Sequence, residues 1–234
     1  MLDKPAIHAF SIHLLHEGHR EDVERFLSGL TAHHAGHDYE VVIVDNASED
    51  AEWLESLASD TVRVLHLDRE LGYAQARNAG LKTSRGRIVV LVDLSVEPTG
   101  DVLSPLAQAF ADHSVGVAGP WGIVSEDMRE FSESAGPEVD AIEGYFLATR
   151  RELLATELLH EKFRWYRHAD IDLSFQLRAR GTKAVVVPIP VAKHTHRGWT
   201  SIDEAERAKR SKRNWNLFFD RWKHAHEMLL SHRD

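Results

Sequence analysis

The chain has 234 residues, enough for one large α/β domain in preference to two small ones, and its 43% hydrophobic and 28% charged residues exclude a disordered or fibrous protein. Its formal charge of −9 argues against a general nucleic-acid binder, which needs a net cationic face for phosphates, and leaves small anionic ligands open. Cysteine is absent, which excludes disulfides, thiolate metal sites and cysteine nucleophiles and fits a cytoplasmic location.

No window of 18 apolar residues predicts a membrane span. Met1-Leu2-Asp3-Lys4 leads so directly into an apolar run that no room is left for a secretory signal. In chain order, apolar runs predict buried strands at Ile7–Leu15, Glu40–Val44, Val62–Leu67, Ile88–Val92 and Val115–Ala118. Helical stripes stand between them: Val23, Phe26, Leu27 and Leu30, then Trp53, Leu54 and Leu57, then Ala74 to Leu81, then Leu103 to Phe110. This alternation predicts a mainly parallel sheet with right-handed crossovers. Gly119 to Pro137 has weak periodicity and reads as a long loop with one short strand at most. Ala141–Thr149 reads as a strand, Asp170–Arg180 as a helix stopped by Gly181, and Ala184–Val187 as a strand ended by Pro188 and Pro190. Ile202 to the end reads as one long helix.

Ligands of such sheets sit beyond the carboxyl ends of the strands, so the residues at the strand exits matter most. Val41-Val42-Ile43-Val44 delivers Asp45 to one exit, followed by Asn46-Ala47-Ser48. A carboxylate there can accept from a nucleobase N–H or a ribose hydroxyl, or cap the following helix. Ile88-Val89-Val90-Leu91-Val92 delivers Asp93 to another exit, followed by Ser95. Between them, Gly72 opens a helix carrying Arg77, and a helix N-terminus with an arginine suits a diphosphate or ribose. No Gly-x-Gly-x-x-Gly follows the first strand and no P-loop occurs, which disfavours dinucleotide enzymes and P-loop NTPases. His16-Glu17-Gly18-His19 lacks the zinc-protease spacing, and His33 with His37 reads as a solvated helix end. Later, His168-Ala169-Asp170-Ile171-Asp172 opens a helix, with the dipole favouring both acids. His194 and His196 share one face of an extended segment, and with a remote aspartate they could complete a divalent-metal site.

The order of these segments resembles the GT-A fold glycosyltransferases, and within them family 2. The resemblance covers roughly Ala6 to Trp199. It rests on the first strand with Glu21–Leu30, on Val41–Asp50, on Leu71–Gly80 with Ile88–Pro98, on Glu143–Leu153 and on His168–Gly181. It implies an α/β fold of GT-A type: a mainly parallel nucleotide-binding sheet flanked by helices, with a long C-terminal helix. The chain is then a single domain over 1–234, with a nucleotide-sugar half (1–119), an acceptor and catalytic half (120–200) and the C-terminal helix (201–234). By the resemblance Asp45 is the nucleobase-binding acid, and His16 and Glu17 stand in the turn beneath the base. Asp93 is the first acid of the Asp-x-Asp motif, with Ser95 in place of the second and Glu97 two residues on. Gly144-Tyr145-Phe146 lines the acceptor side, and Asp170, preceded by Ala169 where the family has glutamate, is the base.

The resemblance further implies an inverting transfer of a hexosyl unit from a nucleotide-diphosphate sugar, UDP by preference, to an acceptor hydroxyl. The acceptor is a glycan, a lipid-linked sugar or a small molecule. A divalent ion, manganese or magnesium, is implied on Asp93 with His194 or His196, although serine is a weak ligand for either. Without metal, Arg77, Arg197 or a helix N-terminus has to neutralise the leaving diphosphate. Ser95 and Ala169 keep a second class open, a sugar-nucleotide-binding protein that has lost catalysis. A nucleotidyltransferase is the third reading, and it lacks its usual glycine-rich basic loop here. Arg207 to Lys223 combines basic residues with Trp215, Phe218, Phe219 and Trp222. That stripe reads either as a peripheral contact with the inner membrane face or, preferably, as packing on the domain or on a second copy.

Overall fold

The computed structural model describes residues 5–154 and 158–233. Met1 to Lys4 and residue 234, the end of the expected C-terminal helix, lie outside the described residues. The β-branched runs form strands because both faces of the sheet are covered, so most side chains of the central strands β1, β2 and β4, at 8–16, 39–45 and 86–92, are buried. The first half comprises β1 (His8–His16), α1 (Arg20–His33), β2 (Tyr39–Asp45), α2 (Ala51–Ser56), β3 (Val62–His66), α3 (Tyr73–Leu81), β4 (Gly86–Val92), β5 (Val96–Pro98), α4 (Leu103–Ala109) and β6 (Val115–Gly119). The second half comprises β7 (Gly122–Val124), β8 (Ser132–Ser134), β9 (Glu138–Val139), β10 (Ala141–Ile142), β11 (Phe146–Arg150), α5 (Arg151–Leu154), α6 (Ala169–Arg178), β12 (Lys183–Val186), β13 (Val191–Lys193), α7 (Arg197–Thr200) and α8 (Glu204–Trp222).

Eight strands form one sheet in the order β3-β2-β1-β4-β11-β6-β12-β9. It is mainly parallel; β11 runs antiparallel to β4 and β6, and β9 antiparallel to β12. Strand alternation sends Phe10, Ile12 and Leu14 into a core with Val23, Phe26 and Leu30 of α1 and Leu103 and Leu106 of α4. On the other face, Val89, Leu91 and Leu147 meet Phe163, Phe175 and Phe218. At roughly 25 cal/mol per Å² of apolar area buried, these two layers supply most of the folding free energy.

The five expected strands of the N-terminal half begin and end within two residues of the sequence expectation, and the short β5 is an addition there. The differences lie later. Ala141–Thr149 is two strands, broken at Glu143, Gly144 and Tyr145. Gly119 to Pro137 contains β7 and β8, which join β10 in a three-stranded sheet. Ser132-Glu133-Ser134 carries no apolar alternation, so its strand character comes from main-chain pairing with Gly122 to Val124 alone. The pairing of β5 with β13 is equally invisible to periodicity.

The C-terminal helix is shorter than expected. Asp203 caps it by accepting from the Glu206 N–H at 2.9 Å, and it ends at Trp222. Beyond it, two short turns fold the tail back, burying Leu229 and hydrogen-bonding the Leu230 N–H to Asp140 at 2.9 Å. Phe218 is fully buried, and Phe219 and Trp222 pack beside it. Trp215 stacks on Phe219 and donates to the Arg129 carbonyl. The aromatic stripe therefore packs on the domain.

In the turn after β2, exposed Ala47 holds φ at 58°, a left-handed conformation that costs a residue with a Cβ about 1–2 kcal/mol. Glycine gives back part of that gain through its freer unfolded chain. Ala47→Gly is expected to raise the unfolding free energy by about 0.5–1 kcal/mol in denaturant titration. An unchanged or lower midpoint would contradict the strain.

Candidate active site

Three strand ends and one strand start converge on a single edge of the sheet. β1 delivers Glu17, β2 delivers Asp45 and β4 delivers Asp93, while antiparallel β11 begins there, with Phe146 opposite Val92. A cavity of about 410 Å³ opens at this edge. Of the expected residues it is lined by Glu17, Gly72, Arg77, Asp93, Ser95, His196 and Arg197, whereas Asp170 is not among its lining residues.

The break between β10 and β11 organises the chemistry. The Asp93 N–H donates to the Tyr145 carbonyl at 2.9 Å. One residue earlier, the Gly144 N–H donates to Asp170 Oδ2 at 2.7 Å. A Cβ on Gly144 would lie 2.8 Å from the Asp170 Cβ, so only glycine lets the chain approach this closely. Asp170 Oδ1 is buried and has no hydrogen-bond partner among the described residues. Burial, reinforced by the charge of Glu143, pushes the Asp170 carboxyl up to about 6 against the pull of the Gly144 and Ile171 N–H groups. Asp93 and Asp170 both act electrostatically on the phenols of Tyr73 and Tyr145, so the two acids share one neighbourhood.

Asp93 is closely held. Its Oδ1 accepts from the Ser95 N–H at 2.8 Å and the Ser95 hydroxyl at 2.5 Å. His196 Nε2 stands 3.0 Å from its Oδ2. Burial opposes ionisation of Asp93, yet His196 and Ser95 outweigh it and hold the carboxyl below the usual range. The same pairing raises His196 despite its burial.

The implied divalent ion fits this donor set poorly. Ser95 replaces a carboxylate. His196 Nδ1 accepts the Trp199 N–H at 3.1 Å, which leaves the ring proton on Nε2, the atom that would have to ligate. His194 turns away to Glu97, with its Nε2 2.6 Å from Oε2. No group of three histidine or acidic side chains is arranged to hold a metal among the described residues. The expected set of Asp93, His194 and His196 is thus brought together only as the Asp93–His196 pair.

Several expected ligand contacts are engaged elsewhere. Asp45 lies off the cavity wall, accepting the Ser48 N–H at 2.9 Å on Oδ1 and facing His66 Nδ1 at 2.9 Å on Oδ2. Burial alone would raise its pKa, but those contacts lower it. Buried His16 meets Asp50 at 2.8 Å and does not itself line the cavity, although its neighbours Leu15 and Glu17 do. Arg77 lines the cavity, but its guanidinium donates to the His13 carbonyl at 2.9 Å and the Val92 carbonyl at 2.8 Å, tying the exits of β1 and β4 together. The N-terminus of α3 is also occupied: the Tyr73 N–H donates to the Arg164 carbonyl and the Ala74 N–H to the Phe163 carbonyl. The expected diphosphate cradle of Arg77 and the α3 terminus is closed by main chain.

What occupies it is the segment before α6. Arg164, Trp165 and Tyr166 line the cavity. Tyr166 stacks on His196, with centroids 4.7 Å apart, and meets Trp199 edge-on at 5.3 Å. The run Phe163-Arg164-Trp165-Tyr166-Arg167, directly ahead of the Asp170 helix, carried this information in the sequence as a basic and aromatic cluster.

Comparison with known proteins accords with this geometry. A profile described as Glycosyl transferase family 2 matches residues 16–173. The chain belongs to glycosyl transferase family 2. A dolichol-phosphate mannosyltransferase of Pyrococcus furiosus is 25% identical over 194 aligned positions, which cover 69% of this chain and 55% of that protein. This family 2 chain therefore spans about half the length of that relative. Among solved structures, GalNAc-T7 with UDP, GalNAc and Mn2+ superposes with a TM-score of 0.77 at 15% identity, over 94% of this chain and 50% of the other. The mannosyltransferase PcManGT of Pyrobaculum calidifontis, with GDP-Man and Mn2+, gives 0.68 at 18% identity, over 97% and 72%. These likenesses establish the GT-A glycosyltransferase fold.

The raised Asp170 pKa has a thermodynamic sign. Its folded value of about 6 lies above that of the unfolded chain, so the site is fully stable only while protonated and weakens as pH rises through that range. Asp170→Asn, which keeps an acceptor for the Gly144 N–H, is expected to raise the melting temperature at pH 7.5 and to change it little at pH 4. Equal shifts at both pH values would remove burial as the cause.

Proposed function

We propose that this family 2 enzyme is an inverting hexosyltransferase that uses a nucleoside-diphosphate sugar, with Asp170 as the base that deprotonates the acceptor hydroxyl. The observation that best supports this reading is Asp170 itself. One oxygen is fixed to Gly144, the other is buried without a partner, and its pKa of about 6 suits proton abstraction near neutrality. Residues 1–119 would carry the donor and 120–200 the acceptor. UDP-sugars are the first donors to test and GDP-mannose the second, following the similar proteins.

In the proposed step the acceptor oxygen attacks the anomeric carbon from the face opposite the diphosphate, and its proton passes to Asp170 Oδ1. The bond from the anomeric carbon to the diphosphate oxygen breaks, and its electron pair leaves with the nucleoside diphosphate. Charge builds on the ring as it does in glycoside hydrolysis. Asp93, ionised and fixed by Ser95 and His196, is assigned to a donor hydroxyl on the ribose side, with Glu17 beside it on the cavity wall. Asp45 and His16 are assigned an indirect role: they hold the 46–50 turn through Ser48 and Asp50 instead of touching the base. The misfit of the donor set leaves no step routed through a metal.

Asp170→Asn is expected to cut turnover at least about 100-fold, while calorimetric donor affinity stays within about threefold. A variant retaining a tenth of wild-type turnover would place the base elsewhere. In the wild type, kcat/KM should rise with pH and level off above an acid limb near pH 6, because Asp170 must be ionised to act. Asp93→Ala is expected to weaken donor binding about tenfold or more, through loss of a charged hydrogen-bond acceptor. Unchanged donor affinity would refute that assignment.

A further inference from the structure

The cavity wall poses an electrostatic problem. Glu17, Asp22, Glu70 and Asp93 all face it, and a nucleoside diphosphate would bring further negative charge. Four guanidinium groups also line it, and three are committed. Arg77 is spent on strand-end carbonyls. Arg197 pairs with Glu21 at 2.9 Å and Asp22 at 3.6 Å. Arg210 pairs with Glu206 at 2.9 Å and lies over Trp165, 5.3 Å from the ring centre. The fourth, Arg164, is exposed, and its side chain has no hydrogen-bond or ion-pair partner among the described residues.

The main chain of Arg164, by contrast, is tightly fixed. Its carbonyl takes the Tyr73 N–H at 2.9 Å, and Phe163 takes the Ala74 N–H at 3.1 Å. From the other side, buried Asn214 of α8 donates to the Trp165 carbonyl at 2.8 Å and the Arg167 carbonyl at 2.7 Å. A Cβ on Gly72 would stand 3.1 Å from the Arg164 Cα and 3.4 Å from its Cγ, so the side chain leaves the backbone directly over the glycine at the mouth of α3. An unpaired cation on a pinned backbone thus stands where the α3 N–H groups would otherwise have met an anion.

We propose that Arg164 binds the diphosphate of the donor, supplying the positive charge that a divalent ion supplies in a metal-dependent transferase. The inference rests on the nucleotide-sugar reading above and adds the residue that recognises the phosphates. A planar guanidinium offers two parallel N–H donors to phosphate oxygens, and it would neutralise charge on the departing diphosphate without relying on Ser95 or on a tautomer change at His196.

Calorimetry on the full chain separates the outcomes, with UDP against uridine and GDP against guanosine as probes, each in EDTA and in MnCl2. The wild type is expected to bind a diphosphate in EDTA, with affinity changing less than about threefold in manganese. Arg164→Ala should lose at least about tenfold for the diphosphate, the scale of a charged hydrogen bond, while nucleoside affinity and melting temperature stay unchanged. Arg164→Lys should recover part of the loss, because it keeps the charge without the fork. Gly72→Ala, which crowds the Arg164 backbone, should weaken the diphosphate selectively as well. Unchanged diphosphate affinity in Arg164→Ala overturns the inference, as does a wild type that gains tenfold or more from manganese. A wild type that binds neither diphosphate under either condition removes the nucleotide-sugar reading itself, and this inference with it.

Discussion

The hydrogen bond from the Asp93 N–H to the Tyr145 carbonyl is the constraint on which the site depends. It carries the β4–β11 register one residue past Val92 and Phe146, closing the seam where parallel β4 meets antiparallel β11. The three residues between β10 and β11 then take on three duties. Glu143 holds Lys193 at 3.1 Å, Gly144 holds Asp170, and Tyr145 holds Asp93. Asp93 and Asp170, from two different parts of the chain, are thereby held by neighbouring residues.

Burial is the second theme: it raises both carboxyls, and their partners decide opposite net outcomes. Asp93 is compensated by a serine and a histidine and stays ionised. Asp170 receives backbone N–H groups on one oxygen and nothing on the other, so burial prevails. Two carboxylates within one neighbourhood are thus given different proton affinities by their immediate partners.

The N-terminal half was legible in the sequence because a buried parallel strand leaves an unmistakable β-branched run, and Asp45 and Asp93 could be put at strand exits from those runs alone. The later half was less so. β8 is polar and exists through main-chain pairing, and the break at Glu143 to Tyr145 interrupts a segment whose composition reads as continuous strand. Candidate residues could be located at the right edge, but which atoms were free could not. Arg77 reads as a phosphate ligand because an arginine on a helix start suits a diphosphate, whereas here its guanidinium satisfies two strand-end carbonyls. Asp45 faced histidine 66, a partner 21 positions later that only the pairing of β2 with β3 brings alongside.

Asn214 connects these observations to the tail of the chain. The family profile ends at residue 173, yet the carbonyls that set the far wall of the cavity are gripped from α8, beyond the shared segment. The C-terminal helix is therefore an external brace for a pocket it barely enters. A substitution at Asn214 thus reaches the cavity wall through the main chain of Trp165 and Arg167, leaving every side chain that lines the cavity unchanged.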